Sequence, residues 1–129
     1  MFKGVDHVVI AVEDLDAAVS QYEELYGLTA KRGTAPGRKT AHIQFEDNFL
    51  ELMTNDGDEG PVAKRLSEHG AGVYLIAMRT DDMDKTLEEL RAKGIRLIGD
   101  PGPGNPATGL VFIHPASAGG VLTQIVPAR

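Results

Sequence analysis

The sequence predicts an α+β protein made of two tandem βαβββ modules, and three observations support this fold. The phrase Asp14-Leu15-Asp16 recurs 68 residues later as Asp82-Met83-Asp84, each time after an apolar, β-rich run. An amphipathic helix follows each copy and ends at a glycine, Gly27 or Gly94. Three further strand-like runs come after each helix. Because one such unit cannot bury both faces of its sheet alone, a repeat at half the chain length predicts two modules.

The first module opens with Val5–Val12, a run that is mostly apolar on both faces and therefore indicates a strand covered on both sides. Asp14 or Asp16 is a suitable N-cap for the helix. The residues predicted on its buried stripe are Leu15, Val19, Tyr22 and Leu25 or Tyr26. Strands are then predicted at Leu28–Lys31, Thr40–Glu46 and Phe49–Thr54, the last two joined by a tight turn at Asp47-Asn48.

The second module starts its strand near Leu75, and Leu87 and Leu90 mark the buried side of its helix, together with Met83. Its remaining strands are predicted at Ile95–Ile98, Leu110–His114 and Val121–Val126. A short helix from Pro61 to about His69 connects the modules, and Asp100–Pro106 is a proline-rich loop expected to form a rim or flap over a pocket. We expect a single domain over residues 1–129, with modules at about 5–54 and 72–127 and the linker helix at about 60–70.

Composition excludes several classes of function. The chain has 129 residues and a mass of 13.8 kDa, with 13 basic and 19 acidic side chains and a formal net charge of −6. That sign argues against a nucleic-acid partner. No apolar stretch approaches the length of about 20 residues that a membrane span needs, so no membrane partner is expected. The chain has no cysteine, and Met1 leads directly into a strand-like run, so we expect a cytoplasmic protein without a secretory leader.

Several phrases resemble a known superfamily. They are Asp6-His7-Val-Val-Ile-Ala-Val-Glu-Asp-Leu, the strand Leu50-Glu51-Leu52-Met53, Gly60-Pro-Val-Ala-Lys-Arg-Leu, and His114-Pro-Ala-Ser-Ala-Gly-Gly-Val-Leu122. With the repeated βαβββ unit, they resemble the vicinal oxygen chelate (glyoxalase-like, VOC) superfamily, and within it methylmalonyl-CoA epimerase. The resemblance covers nearly the whole chain. It implies that the two modules form a half-open, barrel-like sheet around a cup.

The resemblance also implies a set of site residues. Such epimerases hold a divalent metal with four side chains, and the corresponding positions here are His7, Glu51, Leu75 and Gln124. A leucine cannot bind a metal, so the implied metal ligands are His7, Glu51 and Gln124. Because Leu75 replaces one ligand, both a bound divalent metal (Co, Mn, Zn, Ni or Fe) and its absence stay open. The family's second catalytic glutamate corresponds to His42, an imidazole that titrates in the range needed for a base. His42 and Gln124 are therefore the candidate catalytic residues, although an amide cannot itself take up a proton near neutral pH.

Two functions remain open from the sequence. The first is an epimerase-like isomerase that transfers the α-proton of a small acyl-CoA or related acid with the help of a divalent metal. The second is a metal-free member of the same fold, either a small-molecule binding protein or a tailoring enzyme that uses the polar groups without a cation. Leu75 motivates the second because it makes one corner of the implied site apolar. The resemblance also implies a small-molecule substrate and a homodimer.

Overall fold

The predicted repeat is present in the secondary structure of residues 1–128, which this computed structural model describes. The elements are β1 Phe2–Ala11, α1 Leu15–Tyr26, β2 Lys31–Ala35, β3 Arg38–Gln44, β4 Phe49–Asn55, α2 Pro61–His69, β5 Gly72–Thr80, α3 Met83–Ala92, β6 Leu97–Ile98, β7 Val111–Ile113 and β8 Thr123–Pro127. The predicted α+β class with two βαβββ modules is therefore confirmed. Contacts divide the chain into a first unit, His7–Tyr74, and a second unit, which comprises Met1–Asp6 and the chain from Leu75 onward.

The two repeated helices begin in the same way. The Asp14 side chain accepts a hydrogen bond from the Ala17 N–H at 3.1 Å, and the Asp82 side chain accepts one from the Lys85 N–H at 3.0 Å. Each aspartate thus satisfies one of the free N–H groups of the first helical turn. Of the two N-caps that the sequence offered for α1, Asp14 is the one used.

In the first unit the strand order is β2–β3–β4–β1, with β1 parallel to β4 and the other pairs antiparallel. Helix α1 packs on one face of this sheet, where Leu15 and Val19 form a core with Ala41 and Leu52. Ala41 and Leu52 are both 0% exposed. Because side chains alternate along a strand, Leu52 on the helix side places Glu51 on the opposite face.

The second unit repeats this arrangement with the order β6–β7–β8–β5, in which β8 is parallel to β5. Helix α3 contributes Leu87 and Leu90 to a core with Val111 and Ile125. At the end of β5 the hydroxyls of Thr80 and Thr86 are 2.6 Å apart, a buried polar contact that joins the strand to α3.

Some predicted boundaries and burial assignments are wrong. The strand predicted at Leu28–Lys31 begins only at Lys31, because the Ala30 N–H donates to the Glu23 carboxylate at 2.7 Å instead of to a neighbouring strand. Tyr26, predicted in the core, is 44% exposed and lies edge-on to two other aromatic rings. Strand β1 begins at Phe2 rather than Val5, and in the second unit the Asp81 N–H donates to the Met1 carbonyl at 3.1 Å.

Helix length and composition also bear on the membrane question. Within residues 1–128, every helix is too short or too polar to cross a bilayer.

Candidate active site

Three of the four predicted site residues lie together in the first unit, on the sheet face opposite α1. Glu51 stands on β4, His42 is its register partner on β3, and His7 is on β1 at the other side of β4. The Glu51 Oε2 atom is 3.4 Å from His42 Nε2 and 3.9 Å from His7 Nε2. One carboxylate oxygen therefore lies close to the Nε2 atoms of two imidazoles.

The ring of Phe49 separates the two imidazoles. Phe49 is two residues before Glu51 and therefore points to the same face of β4. Its centroid is 4.4 Å from that of His7 at an interplanar angle of 12°, and 4.7 Å from that of His42 at 22°. Because β4 lies between β1 and β3, the phenyl ring is stacked between the two histidines and fixes the planes of both.

The members of this cluster differ in their access to a ligand. The side chains of His7 and Glu51 are only 10% and 13% exposed, whereas that of His42 is 44% exposed. His42 is thus the member that can touch a substrate directly. His7 and Glu51 form a buried polar pair beneath it. In this pair the His7 imidazole is the partner that the buried Glu51 carboxylate needs.

The fourth predicted site residue, Gln124, belongs to the second unit. It is half-buried on β8, pairs in register with Ala77 and Phe112, and faces away from α3, since its neighbour Ile125 is in the helix-side core. Its register position is the repeat counterpart of Glu51. The counterpart of His42 is Phe112, because each is the antiparallel partner of that position.

The residues present do not fit the divalent-metal site that the resemblance implies. Leu75, at the position of the third ligand, is 5% exposed and offers no donor atom. Among residues 1–128 no three or more histidine, aspartate or glutamate side chains are grouped as a metal requires. The metal-binding roles of His7, Glu51 and Gln124 stay predictions.

Phe49 was not predicted as a site residue. An aromatic residue at the start of a strand is typical of a core, and the sequence gives no sign that two histidines flank it. The sequence did contain one indication of its position. Phe49 lies two residues before Glu51, and residues i and i+2 of a strand share a face.

Comparison with known proteins identifies the family. The profile of the Glyoxalase/Bleomycin resistance protein/Dioxygenase superfamily matches residues 6–112. An ethylmalonyl-CoA/methylmalonyl-CoA epimerase of Cereibacter sphaeroides is 31% identical over 134 aligned positions, covering 97% of this chain and 98% of that protein.

Solved structures give the same result. Methylmalonyl-CoA epimerase from Mycobacterium tuberculosis superposes with a TM-score of 0.85 at 31% identity, covering 99% of this chain and 89% of that one. A variant of the Streptomyces coelicolor methylmalonyl-CoA epimerase in complex with 2-nitronate-propionyl-CoA gives a TM-score of 0.86 at 31% identity, over 100% and 99% of the two chains. The chain therefore belongs to the glyoxalase/bleomycin resistance protein/dioxygenase superfamily, the VOC fold that its repeat predicts.

Proposed function

We propose that this protein is an epimerase-like isomerase that moves the α-proton of a malonyl-type acyl-CoA thioester. The observation that carries the proposal is the accessible His42 imidazole with its Nε2 atom 3.4 Å from the buried Glu51 carboxylate. Relatives of about 30% identity over the full chain are methylmalonyl-CoA epimerases, which supports this reaction class. The malonyl-type acyl group is part of this proposal.

In the proposed reaction His42 acts as the general base. The unprotonated nitrogen of its neutral imidazole takes the α-proton, the C–H electron pair moves into the thioester carbonyl, and an enolate forms. The Glu51 carboxylate, 3.4 Å from Nε2, stabilises the imidazolium that results. A water molecule then donates a proton to the opposite face of the α-carbon, and the hydroxide that remains takes the proton from His42, which restores the neutral imidazole. Such a base contributes roughly 10²–10⁴-fold to the rate.

The other two predicted site residues are His7 and Gln124. His7 lies 3.9 Å from Glu51 and partners the carboxylate in its buried position, so it acts as a positioning residue. Gln124 belongs to the second unit, and its role stays a prediction. No step requires a metal ion, because the donor set of this chain does not fit one.

Hydrogen exchange tests the proposal. Purified protein is incubated with methylmalonyl-CoA or ethylmalonyl-CoA in heavy water, and loss of the α-proton signal is followed by NMR. We expect exchange well above the buffer rate, and a reduction of roughly 10²–10⁴-fold in His42→Gln. The matched control is His69→Gln, which removes an imidazole at the exposed end of α2. Exchange no faster than in buffer for both substrates, or wild-type rates in His42→Gln, would overturn the proposal.

A second candidate, a binding protein without catalysis, is favoured by one observation. At the repeat positions equivalent to His7 and His42, the second unit carries the apolar residues Leu75 and Phe112. Apolar side chains at these positions suit a hydrophobic acyl chain or ring. Tight binding of an acyl-CoA without any exchange of its α-proton would favour this candidate over the isomerase.

A further inference from the structure

Outside the histidine cluster, two arginines of the first unit converge on one phenol. Arg65 of α2 lies with its guanidinium carbon 6.0 Å from the centre of the Tyr74 ring, at the start of β5. Arg38, the first residue of β3, is close enough that its charge, like that of Arg65, acts to lower the Tyr74 pKa. Three separate elements therefore bring two positive charges and one hydroxyl together.

Neither arginine is paired with a carboxylate among residues 1–128. In the portion of the chain that the structure describes, Arg38 and Arg65 form no ion pair, although acidic side chains outnumber basic ones by 19 to 13. The Nε atom of Arg65 is buried and has no hydrogen-bond acceptor among residues 1–128. A buried donor without an acceptor is costly, which indicates a site that an external anion completes.

Local structure favours an oxyanion at this point. Burial raises the pKa of the Tyr74 hydroxyl and outweighs the opposing effect of the two arginines, so the phenol stays neutral and donates. Gly72, whose φ is +147°, leaves room for Arg65, since a Cβ at that position would lie 3.4 Å from a guanidinium nitrogen. The available groups are then all donors, and arginine forks match the geometry of phosphate oxygens.

The distance of Arg38 from His42 indicates the kind of molecule that carries the bound phosphate. Arg38 and His42 lie on the same face of β3, four residues and about 13 Å apart along the strand. An acyl thioester of coenzyme A carries its reacting group and its phosphates at opposite ends of a long pantetheine arm. We propose that Arg38, Arg65 and Tyr74 bind a phosphate of the nucleotide end of a coenzyme A thioester whose acyl group reaches His42. This inference rests on the proposed function.

Calorimetric binding of unacylated coenzyme A tests it without chemistry. We expect Arg65→Gln and Arg38→Gln each to raise the Kd at least tenfold, and Tyr74→Phe to raise it less, because charge-assisted hydrogen bonds are the stronger ones. Arg32→Gln is the matched control, because that exposed arginine already pairs with Asp16 at 2.6 Å, and its Kd should stay within twofold of wild type. Circular dichroism verifies that each variant is folded.

Smaller ligands identify the group that is recognised. Pantetheine, which lacks the nucleotide, should bind at least tenfold more weakly than coenzyme A and should be insensitive to the arginine substitutions. Equal binding of pantetheine and coenzyme A, or wild-type affinity in both arginine variants, would overturn the inference. Arginine-dependent binding of inorganic phosphate without binding of coenzyme A would also overturn it and would assign a free phosphate site.

The test of this phosphate site and the test of the proposed isomerase can fail independently. Arginine-dependent binding of coenzyme A with no α-proton exchange would support this phosphate site and refute the isomerase. Exchange with a KM unchanged by Arg38→Gln and Arg65→Gln would support the isomerase and refute the phosphate site.

Discussion

Phe49→Leu tests how the candidate active site is held together. The phenyl ring stacks on His7 at 4.4 Å and on His42 at 4.7 Å. An aromatic pair contributes about 0.5–1.5 kcal/mol beyond its buried area, so the two pairs supply about 1–3 kcal/mol toward fixing the imidazoles. Leucine keeps an apolar side chain but removes both stacking partners. If this energy is lost in the transition state, the rate of α-proton exchange falls roughly 5- to 150-fold, at 1.36 kcal/mol per tenfold.

A second readout of the same variant does not depend on activity. Imidazole C–H protons that face a phenyl ring are shielded by its ring current, so in Phe49→Leu the NMR signals of His7 and His42 should move downfield. His69 and His114, which stack on no ring among residues 1–128, should keep their shifts.

Phe45→Leu is the control for this pair of measurements. Phe45 directly follows β3 and lies edge-on to the ring of Tyr26, and it stacks on neither imidazole of the cluster. Unchanged His7 and His42 signals in Phe49→Leu, or equal losses of exchange in the two variants, would refute the positioning role of Phe49.

Three further predictions concern metal, pH and packing. Native mass spectrometry after reloading with cobalt should find no tightly held ion, because the donor set lacks a third convergent ligand; one retained ion per chain would contradict this. The Arg91 guanidinium hydrogen-bonds to Asp100 and lowers the pKa of that carboxyl to about 2, from 3.8. The pair's contribution to stability should therefore be complete above pH 3.8 and disappear as the pH falls toward 2, so urea unfolding of wild type and Asp100→Asn should differ above this window and converge below it. Leu52→Ala, at a position that is 0% exposed beneath α1, should lower the free energy of unfolding by about 2–5 kcal/mol, and a loss below 1 kcal/mol would contradict the assigned core.

The parts of the fold that depend on local chemistry could be predicted from the sequence. Asp14 and Asp82 cap their helices by contacts three residues along the chain, and the same spacing is visible in the sequence. The start of β2 could not be predicted in this way, because the hydrogen bond from the Ala30 N–H to Glu23 spans a helix end and a loop. The Arg79 side chain is only 22% exposed and lies 4.0 Å from the buried Asp6 carboxylate, a contact between two strands that the local sequence does not indicate.

The candidate site was predictable only in part, for a related reason. Strand alternation places Glu51 opposite the helix-side Leu52, so its face follows from the sequence. The separation of His7 from His42 by Phe49 depends on the order β3–β4–β1, which alternation does not give. The convergence of Arg38 and Arg65 on Tyr74 likewise joins three elements, and isolated arginines in a sequence most often indicate solvated charges.

The register of the two units shows where polar chemistry has been kept. In the first unit, β4 carries Phe49 and Glu51, and His42 is the partner of Glu51 on β3. The same positions of the second unit carry Leu122, Gln124 and Phe112.

Both units keep the apolar core beneath their helix, with Leu52 in the first and Ile125 in the second at matching register positions. The repeat therefore conserves packing on the helix side and diverges on the other face. A neutral amide and a phenyl ring in the second unit cannot exchange protons, so the proposed proton transfer is assigned to His42 and Glu51 of the first unit. This asymmetry is the reason that His42→Gln is expected to reduce exchange roughly 10²–10⁴-fold rather than only twofold.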